Sequence, residues 1–338
     1  MRYFLLPISW IYVSVIIVRN LFFDFKVFPS KNIDNSIGIG NLSMGGTGKS
    51  PLSVYVTELI LKSQGTPALL SRGYGRKTKG FIEVNENSLS QDVGDEPLMF
   101  KQRFKDKAGV YVCEDRNLGS SKIREISPQS TIIFDDAFQH RKIKPSLSIL
   151  TTPFGDPFFK DHILPVGRLR EPARNANRAD YILVTKCPNT LTETDYDSIK
   201  QKLSKFSKPV FFSHIEYGEM TPIRQDIQSI KKILLVTGIA DPSPLIEYLS
   251  GKYEIESISF PDHHAFTQKD IQKIHEKFGT FDSTESIILT TEKDKVRLSK
   301  FDALISNHGA PWYYQPMGIR IKDEDQFESL IKEHVRKV

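Results

Sequence analysis

Between residues 37 and 50 the chain reads Ile-Gly-Ile-Gly-Asn-Leu-Ser-Met-Gly-Gly-Thr-Gly-Lys-Ser. A short apolar run enters a glycine-rich loop, which closes on Lys49-Ser50 and is followed by Pro51 and an apolar, helix-like stretch over 54–62. Proline suits the first turn of a helix, where its missing N–H costs little. Glycines let successive backbone N–H groups face inward and approach phosphate oxygens at a helix N-terminus that already favours anions. Residues Ser43, Met44, Gly45, Gly46, Thr47, Gly48, Lys49 and Ser50 are therefore the expected phosphate cradle. Lys49 would reach the β- and γ-phosphates, and the Ser50 hydroxyl would hold Mg²⁺. The strict pattern G-x-x-x-x-G-K-[ST] asks for glycine where Ser43 stands. The loop is closer to the deviant form K-G-G-x-G-K-[ST], with Met44 in place of the signature lysine. The bland alternative is an ordinary glycine-rich turn before a helix.

The rest of the chain fits a nucleotide-binding frame. Short apolar runs at 37–40, 68–71, 110–113, 131–134, 147–150, 181–185 and 210–213 alternate with polar, helix-like stretches. Several runs are continuously apolar, as expected of strands covered on both faces. They predict a doubly wound parallel α/β sheet of the P-loop NTPase kind. After a polar stretch at 216–228, a new strand–loop–helix unit begins at Lys232, with further strands expected at 253–260, 286–290 and 312–321. At 338 residues the chain is longer than the ~250–300 at which single cores stop growing. We expect an N-terminal helix within 1–28, a P-loop domain over 29–217 and a smaller α/β domain over 218–338.

Composition narrows the partners. Net charge is +5, which suits anionic small molecules or a membrane surface but argues against nucleic acid without a clustered basic face. The two cysteines form no CxxC, so a disulfide framework and a cysteine zinc site are not expected. Residues 3–18 carry no charge. That run is slightly short of the ~20 apolar residues of a spanning helix, and it contains Pro7. A secretory signal would need a small-residue cleavage site, but Leu21-Phe-Phe-Asp-Phe25 is bulky. An interfacial anchor, a span and a buried core helix all remain open, since hydrophobicity alone does not separate them.

Weaker constellations accompany the loop. The run Thr131-Ile-Ile-Phe ends in Asp135-Asp136, where a Walker B aspartate holds Mg²⁺ directly or through water; a helix cap or turn pair is the alternative. Asp92-Val-Gly-Asp-Glu-Pro97 crowds Asp95 and Glu96 at an apparent helix start. It is either a dipole-favoured acidic first turn or the seat of a general base. Pro261-Asp-His-His264 suggests proton transfer or, less readily, metal, since adjacent side chains diverge and no third ligand is spaced for it. Arg72, in Ser71-Arg-Gly-Tyr-Gly-Arg-Lys77, and Arg168 and Arg170, in Gly167-Arg-Leu-Arg-Glu-Pro172, sit in stretches that either clamp an anionic ligand or form solvated loops. Thr290-Thr-Glu-Lys-Asp294 does not match the N-K-x-D order of a guanine reader.

Taken in order, Gly40–Pro51, Ser71-Arg-Gly-Tyr-Gly75, Val93-Gly-Asp-Glu-Pro97, Asp135-Asp-Ala-Phe-Gln-His140, Gly167-Arg-Leu-Arg-Glu171, Asp262-His263 and Thr291-Glu-Lys-Asp294 resemble the lipid A 4'-kinase (tetraacyldisaccharide 4'-kinase) family. The resemblance runs to about residue 295 and draws nothing from beyond residue 300. It implies an enzyme at the cytoplasmic face of the bacterial inner membrane. Its cofactors would be ATP and Mg²⁺, and its acceptor the 4'-hydroxyl of an acylated glucosamine disaccharide 1-phosphate. It further implies Asp95 as base with His263 as partner, Ser50, Glu96, Asp135 and Asp136 at the metal, and Arg72, Arg168 and Arg170 toward the substrate. The rival reading is a membrane-bound ATPase switch of the deviant Walker A type, against which Met44 argues. A GTP-binding module is disfavoured by the missing guanine reader.

Overall fold

A computed structural model describes residues 2–336. Eight strands open the chain: β1 (Lys31–Asn41), β2 (Pro67–Ser71), β3 (Ile82–Glu83), β4 (Gly109–Val112), β5 (Thr131–Phe134), β6 (Ile143–Pro153), β7 (Tyr181–Thr185) and β8 (Val210–Tyr217). Then come β9 (Thr221–Pro222), β10 (Lys232–Thr237), β11 (Glu254–Ser259), β12 (Ser286–Thr291), β13 (Trp312–Gln315) and β14 (Met317–Lys322). The first six helices are α1 (Leu6–Asp24), α2 (Lys49–Lys62), α3 (Ser90–Val93), α4 (Asp95–Phe104), α5 (Arg116–Ile126) and α6 (Glu193–Leu203). They are followed by α7 (Ser243–Ser250), α8 (Gln268–Phe278), α9 (Glu292–Leu298), α10 (Asp302–His308) and α11 (Glu324–Arg336).

One sheet runs β14-β8-β7-β6-β1-β5-β2-β4-β3, parallel except at its two edges, where β14 and β3 pair antiparallel. β2 and β5 are buried along their length, as expected where helices cover both faces. The alternation of the pleat splits neighbours between two cores: Ile133 packs with Ile37, Leu52 and Phe100, whereas Ile132 packs with Leu70, Tyr111 and Ile123. The glycine-rich loop leaves the C-terminal end of β1. That strand is central, flanked by β5 and β6 where the winding reverses, and such a switch point is where open α/β sheets place their ligands.

The second sheet runs β11-β10-β12-β13-β9 around its own core of Leu234, Val236, Ile288 and Trp312. Here the expected division 218–338 needs correction. The single strand expected over 312–321 is two strands in different sheets, β13 in the second and β14 in the first. Pro316 stands between them, with no N–H to continue a ladder. Residues 317–336 thus return to the first body, where Ile319, Ile321, Phe327 and Ile331 are buried in the core against α2.

Candidate active site

The phosphate loop is held from three sides. The Asn41 side chain donates to Ser43 O and Thr47 Oγ1, both at 2.7 Å. Thr47 Oγ1 lies 3.1 Å from Thr151 Oγ1 on β6, and Thr185 Oγ1 on β7 donates to Thr47 O at 2.9 Å. Gly48 caps α2 at φ 82°, a left-handed conformation that glycine takes without strain. On the outer side, Arg170 N–H donates to Leu42 O and Met44 N–H to Arg168 O, each at 2.8 Å. The stretch Gly167–Glu171, ambiguous in the sequence, is therefore a backbone wall of this loop.

Charges converge at the loop's end. Lys49 Nζ lies 3.6 Å from Asp136 Oδ1, and Arg170 Nη1 lies 3.2 Å from Asp136 Oδ2. Burial would raise the Asp136 carboxyl, but Lys49 and Arg170 outweigh it and hold the group below the usual carboxylate range. Asp135 is the opposite case. It is buried, its Oδ1 accepts from Ser53 Oγ at 3.0 Å, and burial, with the charges of Glu96 and Asp136, pushes its carboxyl well up despite Lys49. Asp136 takes φ 48°, and the two aspartates face different partners: Lys49 and Arg170 for Asp136, Ser53 for Asp135. Ser50 Oγ donates to Glu96 Oε1 at 2.9 Å, so two of the expected metal residues already touch. Among the described residues no group of three or more His, Cys, Asp or Glu side chains is arranged as a metal cage by protein ligands alone.

Asp95 opens α4 after Gly94, whose φ is 93° and whose added Cβ would stand 3.2 Å from Gly73 Cα. Asp95 and His263 face each other across the two bodies, but their Oδ2 and Nδ1 atoms are 3.6 Å apart. The expected direct pair is instead bridged by Arg297, on α9. Its Nε donates to Asp95 Oδ2 at 2.6 Å and its Nη2 to His263 Nδ1 at 3.1 Å. Arginine only donates, so Nδ1 of His263 is the acceptor. Arg297 Nη1 is fixed by Gly238 O and Asp294 Oδ1, both at 2.8 Å, and its side chain is 4% exposed. Burial raises the Asp95 carboxyl, yet the hydrogen-bonded Arg297 guanidinium and the charge of Lys293 more than offset it and hold it below the usual carboxylate range. Lys293 Nζ also reaches Glu96 Oε1 and His263 Nε2, each at 3.5 Å. Arg297 and the role of Lys293 were missed in the sequence. The available signal was helical period: Arg297 stands three residues beyond Asp294, on the same face of α9.

The three arginines expected at the substrate part company. Arg170 belongs to the cluster. Arg168 turns instead to Asp156 and Asp161. Arg72 is exposed; burial, with a smaller contribution from the Arg72 charge, lowers the pKa of both Arg116 and His140, and His140 falls to about 4.

Helix α1 lies beside this wall. Ser9 Oγ donates to Ile163 O at 3.2 Å, Tyr12 OH to Arg170 O at 3.1 Å, and Asn20 Nδ2 to the buried Glu171 Oε2 at 3.1 Å. Its other face is apolar and open: Ile8, Ile11, Val15, Val18 and Phe22 are all exposed. The core-helix alternative is thereby removed.

A glycine loop between a central strand and a helix, with a lysine beside paired aspartates, defines a P-loop phosphotransferase. The family model for tetraacyldisaccharide-1-P 4'-kinase matches residues 1–336. The chain is 39% identical over 349 residues to the tetraacyldisaccharide 4'-kinase of Parabacteroides distasonis, covering 98% of this chain and 94% of that one. It is 38% identical over 347 residues to the enzyme of that name from Flavobacterium johnsoniae, covering 99% and 98%. The crystal structure of LpxK from Aquifex aeolicus in complex with ATP superposes with a TM-score of 0.75 at 26% identity, over 99% of both chains. The chain belongs to the tetraacyldisaccharide 4'-kinase family.

Proposed function

We propose that this chain transfers the γ-phosphoryl group of ATP to the 4'-hydroxyl of a tetraacyl glucosamine disaccharide 1-phosphate at the cytoplasmic face of the bacterial inner membrane. The observation that carries the reading is the seating of α1. Its open apolar face suits the acyl boundary of a bilayer, while its other face bonds to residues 163–171, the wall of the phosphate loop. An acceptor whose chains stay in the bilayer beside α1 would then present its sugar to the site that Arg170 and Asp136 line. The net charge of +5 suits an anionic lipid and an anionic leaflet.

Each residue has a task in this reading. The loop amides and Lys49 take the phosphates, and Lys49 offsets the charge spread over the transferring group, the main route to catalysis in phosphoryl transfer. The buried Asp135 and the partly exposed Glu96, whose charge raises Asp135 and whose carboxylate accepts from the Ser50 hydroxyl, form a set that a divalent cation would relieve, so these residues fit Mg²⁺ with Asp136 at their edge. When bound, Mg²⁺ would neutralise charge between the β- and γ-phosphates. Ionised Asp95 accepts the 4'-hydroxyl proton. Its depressed basicity is tolerable because bond formation to the nucleophile is late in a loose transition state. Arg297 and His263 hold that carboxylate in place from the second body.

The test is label transfer from γ-labelled ATP to the tetraacyl disaccharide 1-phosphate and to its deacylated form, in vesicles. Transfer should favour the acylated lipid strongly, and ATP should be nearly inert without acceptor. Acceptor-independent hydrolysis with no transfer would instead favour the ATPase switch, which Met44, at the position of the signature lysine, already disfavours.

A further inference from the structure

Lys186 is not used by the mechanism above, yet it faces the same loop. It follows β7 and takes a left-handed φ of 55°, an uncommon conformation for lysine that surrounding structure must enforce. The enforcement is visible one residue earlier. Thr185 donates to Thr47 O at 2.9 Å, and its side chain would stand 3.0 Å from a Cβ placed on Gly48. The turn after β7 therefore wraps the phosphate loop, and the ammonium of Lys186 comes to 3.7 Å from the Cβ position of Gly46. Burial lowers its pKa, opposed only by Asp241 at longer range, on the loop after β10 in the second body. Among the described residues no carboxylate is in ion-pair contact with it. By contrast, Lys49 and Arg170 are both engaged with Asp136.

A half-buried cation without a contacting counter-ion, beside the glycines of the loop, is costly unless an anion arrives. We propose that Lys186 is a second phosphate-binding cation of the nucleotide site. It reaches the polyphosphate from the Gly45–Gly46 side of the loop and supplies the charge that Met44 does not. The inference rests on the nucleotide-binding reading of the loop and adds a residue outside the glycine motif.

The test uses the full chain and titrates ADP and adenosine into wild type, Lys186→Met, Lys186→Gln and Lys186→Arg, with thermal unfolding of each as the check on folding. ADP binding should weaken about tenfold or more in the Met and Gln variants, as for loss of a charge-assisted phosphate contact. Adenosine should bind within about twofold of wild type, and Arg should restore most of the ADP affinity. ADP affinity unchanged in both neutral variants overturns the proposal. So does an equal loss for ADP and adenosine, which would place Lys186 on the base or sugar. Failure of wild type to bind ADP would overturn the nucleotide reading itself, a separate and distinguishable result.

Discussion

Lys49 is paired with Asp136 at 3.6 Å, so on the proposed reading an arriving nucleotide would exchange a carboxylate for phosphate at its ammonium. Lys49→Ala should therefore leave less than about a tenth of wild-type kcat at saturating ATP, with an unchanged far-UV spectrum, because its charge acts chiefly in the transition state. Asp95 and His263 are joined through Arg297. Asp95→Asn and His263→Ala should each lower kcat by about 10²–10⁴-fold. The double variant should lose far less than the product, since residues acting as one unit are not additive; full multiplicativity in steady-state kinetics would count against a shared unit. Asp135 makes a prediction of opposite sign for stability. Its folded pKa is raised by burial, then by Glu96 and Asp136, so between the unfolded value, about 3.9, and the raised folded value the native state holds the extra proton. Stability from this group then falls as pH rises through that window. Asp135→Asn should lose activity yet raise the melting temperature of the nucleotide-free protein, more at pH 8 than at pH 4, by calorimetry.

At the scale of elements, α1 turns the usual amphipathic rule outward: its polar groups face the protein and its aliphatic stripe faces away. Replacing Ile11 and Val15 by glutamate together should abolish flotation with anionic vesicles and raise KM for the lipid more than for ATP. The melting temperature should barely change, since neither side chain is packed. The run of charge-free residues announced a helix but not its partner, because a hydropathy pattern is blind to what lies against each face. The unit β1–loop–α2 was legible because its signals are local: a buried strand, glycines at the turn, proline in the first turn. Asp95 and His263 were legible as chemistry, but their linkage was not. Arg297 meets Asp95 across 202 residues of sequence, and no periodicity reports a contact at that separation. The strand expected over 312–321 fails for a milder reason: Pro316 was present as punctuation and the apolar run on either side outvoted it.

At the scale of the whole molecule, the chain leaves the first sheet at Tyr217 and re-enters it at Met317, and the two crossings are tied by Gly218 N–H donating to Pro316 O at 3.1 Å. A chain ending at Gln315 would lack Ile319, Ile321, Phe327 and Ile331, all buried. At ~1.5–3 kcal/mol for each large side chain, their sum rivals the ~5–15 kcal/mol of a typical domain. Hydrogen exchange on that truncation should show β1, β5 and β6 unprotected while β10 and β12 keep their protection. The same topology sets an order of events during synthesis. α1 emerges from the ribosome about 300 residues ahead of α11, an interval of ~15–60 s at ~5–20 residues per second. Through that interval the nascent chain carries its open apolar helix and can complete the second sheet, but the sheet that carries the phosphate loop still lacks its last strand and covering helix. If α1 is the membrane anchor proposed above, targeting precedes competence: an incomplete chain would reach the bilayer, but only a finished one would consume nucleotide there.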